Sequence, residues 1–301
     1  MASLIPRRDG RAHKGSHGTL IIVAGSLDYL GAALLATQAA ARAGAGLVCL
    51  ALPESLQPLA AGRVPEAITM GLPERGPMEV EPQAAAEAIG GRDADALLLG
   101  PGLRPGDATA ALVLALLRQD GPPAAVDAQA LNVLADTTEW WTDVSRRVVL
   151  TPHPGEFARL DGADLSDDDA ERTARAGAAA TRWGQVVVLK GAGTVIAAGD
   201  GRSARASFEN PALATAGTGD VLAGSVGALL AQGSEPYDAA RLAVYLHGVA
   251  AERASECLGD TGLLASDLPL RMARARHDLS RASGGERAGR RLGFGERLRS
   301  A

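Results

Sequence analysis

The segment Ala216-Gly217-Thr218-Gly219-Asp220 sets small residues and one carboxylate directly before an apolar run, residues 221–226. A loop that opens onto a buried helix in this way brings backbone N–H groups close to a ligand. The positive end of the helix dipole then favours anionic oxygens at the same spot. An aspartate there would repel a phosphate, so Asp220 is better suited to take a proton from a hydroxyl or to hold Mg²⁺. A phosphate cradle with a carboxylate beside it suits phosphoryl transfer onto an alcohol. The competing reading is that Asp220 only caps the helix.

Four more clusters follow short apolar runs. Gly100-Pro101-Gly102-Leu103 is either a turn that exposes backbone to a ligand or an ordinary tight turn. Asp127-Ala128-Gln129-Ala130-Leu131-Asn132 offers Asp127 either to a ligand cleft or as a helix cap. In Thr151-Pro152-His153-Pro154-Gly155-Glu156, two prolines give His153 a defined direction, which favours function over a purely structural role. Glu156, at the start of the next helix, is a candidate Mg²⁺ ligand, directly or through water. Lys190-Gly191-Ala192-Gly193-Thr194 joins two strands, with a lysine able to reach phosphates and glycines that let a ligand approach; the alternative is a hairpin with an exposed lysine. The five histidines are scattered and make no zinc-type cluster. Gly10-x4-Gly15-Ser16 lacks the Lys-Ser/Thr ending and the preceding strand of a Walker A loop.

These clusters need rigid elements to bring them together. Strands are predicted at residues 19–24, 47–52, 96–99, 124–127, 148–151, 186–190 and 194–198. Helices are predicted at 31–43, 83–89, 107–118, 170–183, 220–231, 236–257 and 265–275. Strands that are apolar throughout suit a sheet buried on both faces, and their alternation with helices predicts a mainly parallel, doubly wound α/β fold. Ligands in such folds bind beyond the carboxyl ends of the strands, where the four strand-end clusters fall. The chain has 301 residues, 47% of them hydrophobic but only 3% aromatic, so its core is built from Leu, Val, Ile and Ala. A net charge of −5 gives no field that would draw nucleic acid or an anionic membrane. No apolar run is long enough to span a bilayer, and the N-terminus lacks the apolar segment of a signal peptide. Cys49 and Cys257 make no disulfide framework. A cytoplasmic enzyme is expected, with a single domain over 1–279 and an arginine- and glycine-rich flexible tail over 280–301.

Together the motifs HKGSHGTLIIVAGS, GAALLATQAAARAGAGLV, LLLGPGL, DAQALN, LTPHPGEFARL, VVLKGAGTVIA, NPALATAGTGDVLAG, YLHGVAAE and GLLASDL resemble the ribokinase-like superfamily. Within it they resemble the ADP/ATP-dependent NAD(P)H-hydrate dehydratases, over about residues 13–270. GTGD alone marks only the superfamily; TPHPGE, KGAGT and AGTGDVLAG in combination are narrower. The resemblance implies a three-layer α/β/α fold and repair of a damaged cofactor. The C6 hydroxyl of the S-epimer of hydrated NADH or NADPH (NADHX, NADPHX) is phosphorylated by ADP or ATP with Mg²⁺, and phosphate is then eliminated. It implies Asp220 as the base and Ala32, Gly102, His153 and Asp220 as substrate contacts. Lys190, Gly191, Ala192, Gly193 and Thr194 would hold the nucleotide together with Gly217, Thr218 and Gly219, and Glu156 would organise Mg²⁺. It also implies a homotetramer and a separate epimerase protein, since many relatives carry an N-terminal epimerase domain that this chain leaves no room for. At the N-terminus of a helix, Asp220 is expected to stay ionised and act as a weak base.

Two positions depart from the family pattern. Gln129 stands where DADALN has an aspartate, and Ala212-Leu213 stand where a Gly-Met pair is common. The nearest rival reading is a superfamily kinase for a small alcohol of the hydroxymethylpyrimidine, hydroxyethylthiazole or pyridoxal type, which would stop at the phosphate ester. A non-catalytic nucleotide sensor would need a broken site, and Asp220, Lys190, Gly217 and Gly219 are all present. A dinucleotide dehydrogenase would need a Gly-x-Gly-x-x-Gly after a strand, which is not found.

Overall fold

A computed structural model describes residues 1–7, 14–282 and 294–296. The strands are β1 (Thr19–Val23), β2 (Leu47–Pro53), β3 (Ile68–Leu72), β4 (Glu74–Gly76), β5 (Glu79–Val80), β6 (Ala96–Leu99), β7 (Ala124–Val126), β8 (Val148–Leu150), β9 (Val186–Leu189), β10 (Val195–Ala197), β11 (Ser203–Ala206) and β12 (Phe294–Glu296). The helices are α1 (Leu30–Ala43), α2 (Gln57–Ala61), α3 (Pro82–Gly90), α4 (Asp107–Arg118), α5 (Gln129–Ala135), α6 (Pro154–Asp161), α7 (Asp169–Trp183), α8 (Thr218–Ala231), α9 (Pro236–Leu258) and α10 (Leu268–Ala282). One sheet runs in the order β12-β11-β10-β9-β8-β7-β6-β1-β2-β3. It is parallel from β9 to β3 and antiparallel from β9 to β12.

Period-two alternation along buried strands feeds two separate cores. Leu20 and Ile22 pack with α1, α8, α9 and α10, whereas Ile21 and Val23 pack with α3 to α7. This is the expected three-layer α/β/α arrangement. Helix α8 lies inside it, buried from Val221 to Ala231, because its residues are small or apolar on every side. Its approach to α1 is so close that a Cβ on Gly224 would stand 2.2 Å from the Ala36 carbonyl oxygen. Strand order reverses between β1 and β6, which opens a crevice at their carboxyl ends.

The expected elements appear with their ends shifted by a residue or two, except that α10 starts at Leu268 after a 3₁₀ turn and runs on to Ala282. The expected domain boundary at 279/280 therefore falls inside a helix. Phe294–Glu296 pairs with β11, and the rest of the expected tail lies outside the described residues. Five strands were not foreseen: β12, in the expected tail, and β3, β4, β5 and β11. In β3 the apolar run is broken by Gly71, where a Cβ would stand 2.8 Å from the Gln57 side chain. β4 and β5 are very short, and β11, Ser-Ala-Arg-Ala, is too polar to read as a strand.

Candidate active site

Gly217 caps α8 with φ 89°, a conformation that suits glycine, and a Cβ there would lie 2.6 Å from Leu35. Thr218, Gly219 and Asp220 form the first turn; the Thr218 N–H donates to the Thr215 carbonyl at 3.3 Å, and those of Gly219 and Asp220 face the crevice end of the helix. Lys190, just past β9, approaches this turn: a Cβ on Gly219 would be 3.4 Å from its Nζ. The Lys190 backbone N–H donates to the Pro152 carbonyl at 2.9 Å, joining the hairpin to the proline-bracketed turn.

Lys190 is largely buried and paired, and is not the exposed lysine of the alternative reading. Its Nζ donates to Asp127 Oδ1 at 2.8 Å and lies 3.9 Å from Glu156 Oε2. Asp127 Oδ1 also accepts from the Thr151 hydroxyl at 2.8 Å. Burial works to lower the Lys190 pKa, but the Asp127 and Glu156 carboxylates outweigh it and hold the ammonium above its ordinary range. Burial raises the Glu156 carboxyl, against the pull of Lys190.

Asp220 corrects the expectation drawn from the helix dipole. Its pKa is pushed up to about 7, first by burial and then by the Asp127 charge, with Glu156 adding to both; Lys190 opposes them. Loss of solvation and like charge outweigh the dipole at this position. Asp220 is therefore poised near neutrality, not held fully ionised.

His153 plays a definite structural part. Its Nδ1 accepts from the backbone N–H groups of Gly155 and Glu156 at 3.1 and 3.3 Å, while Glu156 Oε2 accepts from the His153 N–H at 2.8 Å. This reciprocal cap opens α6 and leaves the His153 ring exposed. Ala32 and Gly102 come together elsewhere along the crevice. Gly102 has φ 66°, and a Cβ on it would be 3.0 Å from the Ala32 Cβ. Leu35, one turn along α1, packs on Gly217 and links this pair to the Gly217–Asp220 turn.

A pocket of about 510 Å³ gathers Lys190, Gly191, Ala192, Thr194, Thr218 and Gly219 in one place. Gly193 turns away, toward Arg205. The far wall holds Phe208, Leu213, Leu222, Val244 and His247, none of which the motif reading assigned to the site. Among them Leu213, at the Ala-Leu departure, forms apolar wall. Gln129 lies outside the carboxylate cluster; it accepts from Asn132, which in turn accepts from Arg159. Among the described residues no three His, Cys, Asp or Glu side chains form a ready-made metal cage. Asp127, Glu156 and Asp220 against one Lys190 nonetheless leave the cluster anionic. This donor set fits a Mg²⁺ ion that arrives with phosphates, held by one or two carboxylates and water.

The family model for NAD(P)H-hydrate dehydratase matches residues 20–271. The chain belongs to this family. It is 43% identical over 268 residues to the bifunctional NAD(P)H-hydrate repair enzyme of Moorella thermoacetica, covering 88% of this chain and 50% of that protein. It is 36% identical to the ADP-dependent (S)-NAD(P)H-hydrate dehydratase of Neisseria meningitidis, covering 85% of this chain and 84% of that one. The chain thus spans about half the length of the bifunctional relatives it matches. Among solved structures, the ADP/ATP-dependent NAD(P)H-hydrate dehydratase of Bacillus subtilis, co-crystallised with ATP/Mg²⁺, superposes with a TM-score of 0.80 at 33% identity, covering 92% of this chain and 95% of that one. A hydroxyethylthiazole kinase of Pyrococcus horikoshii shares the ribokinase-like fold at TM-score 0.65 and 17% identity. No helix among the described residues is long and apolar enough to cross a membrane.

Proposed function

We propose that the protein restores NADH and NADPH from the S-epimers of their hydrates, using ADP or ATP as phosphoryl donor. The observation that carries this reading is that Lys190 and Gly219 line one nucleotide-sized pocket, with Asp220 next to Gly219 in the same turn and within the field of Lys190. In the first step Asp220 accepts the proton of the C6 hydroxyl. The freed oxygen bonds to the terminal phosphorus while the bridging P–O bond breaks, and AMP leaves from ADP, or ADP from ATP. Backbone N–H groups of the Gly217–Gly219 turn and the Lys190 ammonium stabilise charge on the transferring group. In the second step the ring nitrogen pushes out phosphate from C6, and loss of the C5 proton restores the C5–C6 double bond.

Asp127 and Thr151 hold Lys190 in position, and the His153–Glu156 cap fixes the second carboxylate beside it. Glu156 and Asp127 would face a Mg²⁺ ion bound with the phosphates, which would neutralise phosphate charge. Ala32, Gly102 and His153 would contact the hydrated dinucleotide. We further propose a cytoplasmic homotetramer, with epimerisation of the hydrate supplied by a separate protein.

Recovery of absorbance at 340 nm on mixing the protein with S-NADPH hydrate, Mg²⁺ and ADP or ATP tests this reading. Recovery with release of inorganic phosphate, lost in Asp220→Asn, supports it. Folded protein that binds nucleotide but restores nothing would overturn it and favour a small-alcohol kinase.

A further inference from the structure

His247 belongs to α9, behind the anion-binding turn, and its ring forms part of the pocket wall. Its Nε2 lies 3.0 Å from the Thr218 carbonyl oxygen. A carbonyl can only accept, so Nε2 must carry the proton of this bond. The ring is also kept neutral: burial pushes its pKa down to about 4, and Lys190 adds to this against the Thr218 bond. A neutral imidazole with its proton on Nε2 has a bare lone pair on Nδ1. Nδ1 makes no hydrogen bond with any described residue.

Gly248 follows His247 in α9. A Cβ there would lie 2.1 Å from the Phe208 ring, so the absence of a side chain lets Phe208 lie flat against α9 beside His247. Phe208, Leu213, Leu222 and Val244 give the pocket an apolar wall, and His247 is the polar side chain set among them. Thr194, Glu209 and Asn210 line other parts of the pocket; on this apolar wall, an acceptor fixed at His247 suits a flat or ringed group that brings its own N–H or O–H.

We infer that His247 reads the nucleoside part of the phosphoryl donor, with Nδ1 accepting from the adenine amine or a ribose hydroxyl. This rests on the reading of the pocket as the nucleotide site. Loss of the donor leaves a buried acceptor unpaired, so His247 is a specificity-determining residue as well as a tether for α8.

The test is calorimetric binding of Mg²⁺ with ADP, inosine diphosphate, 2′-deoxy-ADP and 3′-deoxy-ADP to the full chain. Wild type is expected to bind ADP about tenfold more tightly than the analogue lacking the donor that His247 reads. Inosine diphosphate singles out the amine, and the deoxy analogues single out the ribose. That preference should collapse to about twofold or less in His247→Phe. It should survive in part in His247→Gln, whose amide can both donate to Thr218 and accept; this variant also serves if the Phe protein does not fold. Equal weakening of all four nucleotides, or an unchanged preference in both variants, would reduce His247 to a tether and overturn the inference alone. Failure of wild type to bind ADP would overturn the nucleotide-site reading and this inference with it.

Discussion

Replacing Asp220 by Asn should stabilise the protein while removing its activity, and the gain should depend on pH in a defined way. Moving a carboxyl from the ordinary 3.8 to about 7 makes its ionised form about 4 kcal/mol costlier in the folded chain than in the unfolded one. Solvent at this half-buried position screens part of that, leaving about 2 kcal/mol. Below pH 3.8 the carboxyl is protonated in both states, and the substitution is close to neutral. Between 3.8 and about 7 the folded chain keeps a proton that the unfolded chain has lost, so wild type loses stability as pH rises. Above about 7 the whole penalty is present. The Asn variant should therefore melt about 4 °C higher than wild type at pH 8 and at the same temperature near pH 4. Calorimetric melting across that range, with the 340 nm assay on the same samples, measures both effects. The loss of activity should be about a hundredfold or more. A gain that is equal at pH 4 and pH 8, or absent at pH 8, would refute the view that burial and neighbouring carboxylates raise this group.

Asp127 is the larger of the two charges that raise Asp220, so Asp127→Asn should move the acid limb of the kcat/KM profile to lower pH. A profile with an unmoved limb would mean that Asp127 acts on Lys190 alone. Gly224→Ala should cost about 1–3 kcal/mol in urea unfolding, because the new methyl would meet the Ala36 carbonyl at 2.2 Å. Gly177→Ala, in α7 with nothing within 4 Å, should gain about 0.5–1 kcal/mol in the same measurement.

The buried parallel strands were legible because their apolar runs are continuous and end in Gly, Asp or Lys. The same runs located the loops that carry Gly102, Asp127, His153 and Lys190. Strands such as β11 and β3 escaped because a sheet accepts alternating or glycine-broken segments once neighbours supply the ladder. Within the site, residue types were legible and charge balance was not. The sequence offered Lys190 to phosphates or to solvent because nothing near it in sequence is acidic, yet folding places Asp127 and Glu156 beside it. Asp220 looked fully ionised because the dipole is a local effect, whereas its two anionic neighbours come from distant strand ends. His247 lies in the YLHGVAAE motif, but nothing in the sequence assigned it to the site. Its role depends on which nitrogen meets the Thr218 carbonyl, and that becomes definite only when α9 packs against α8. Motifs at strand ends thus name the groups that can react, while the protonation each one carries is decided by contacts between elements far apart in the chain.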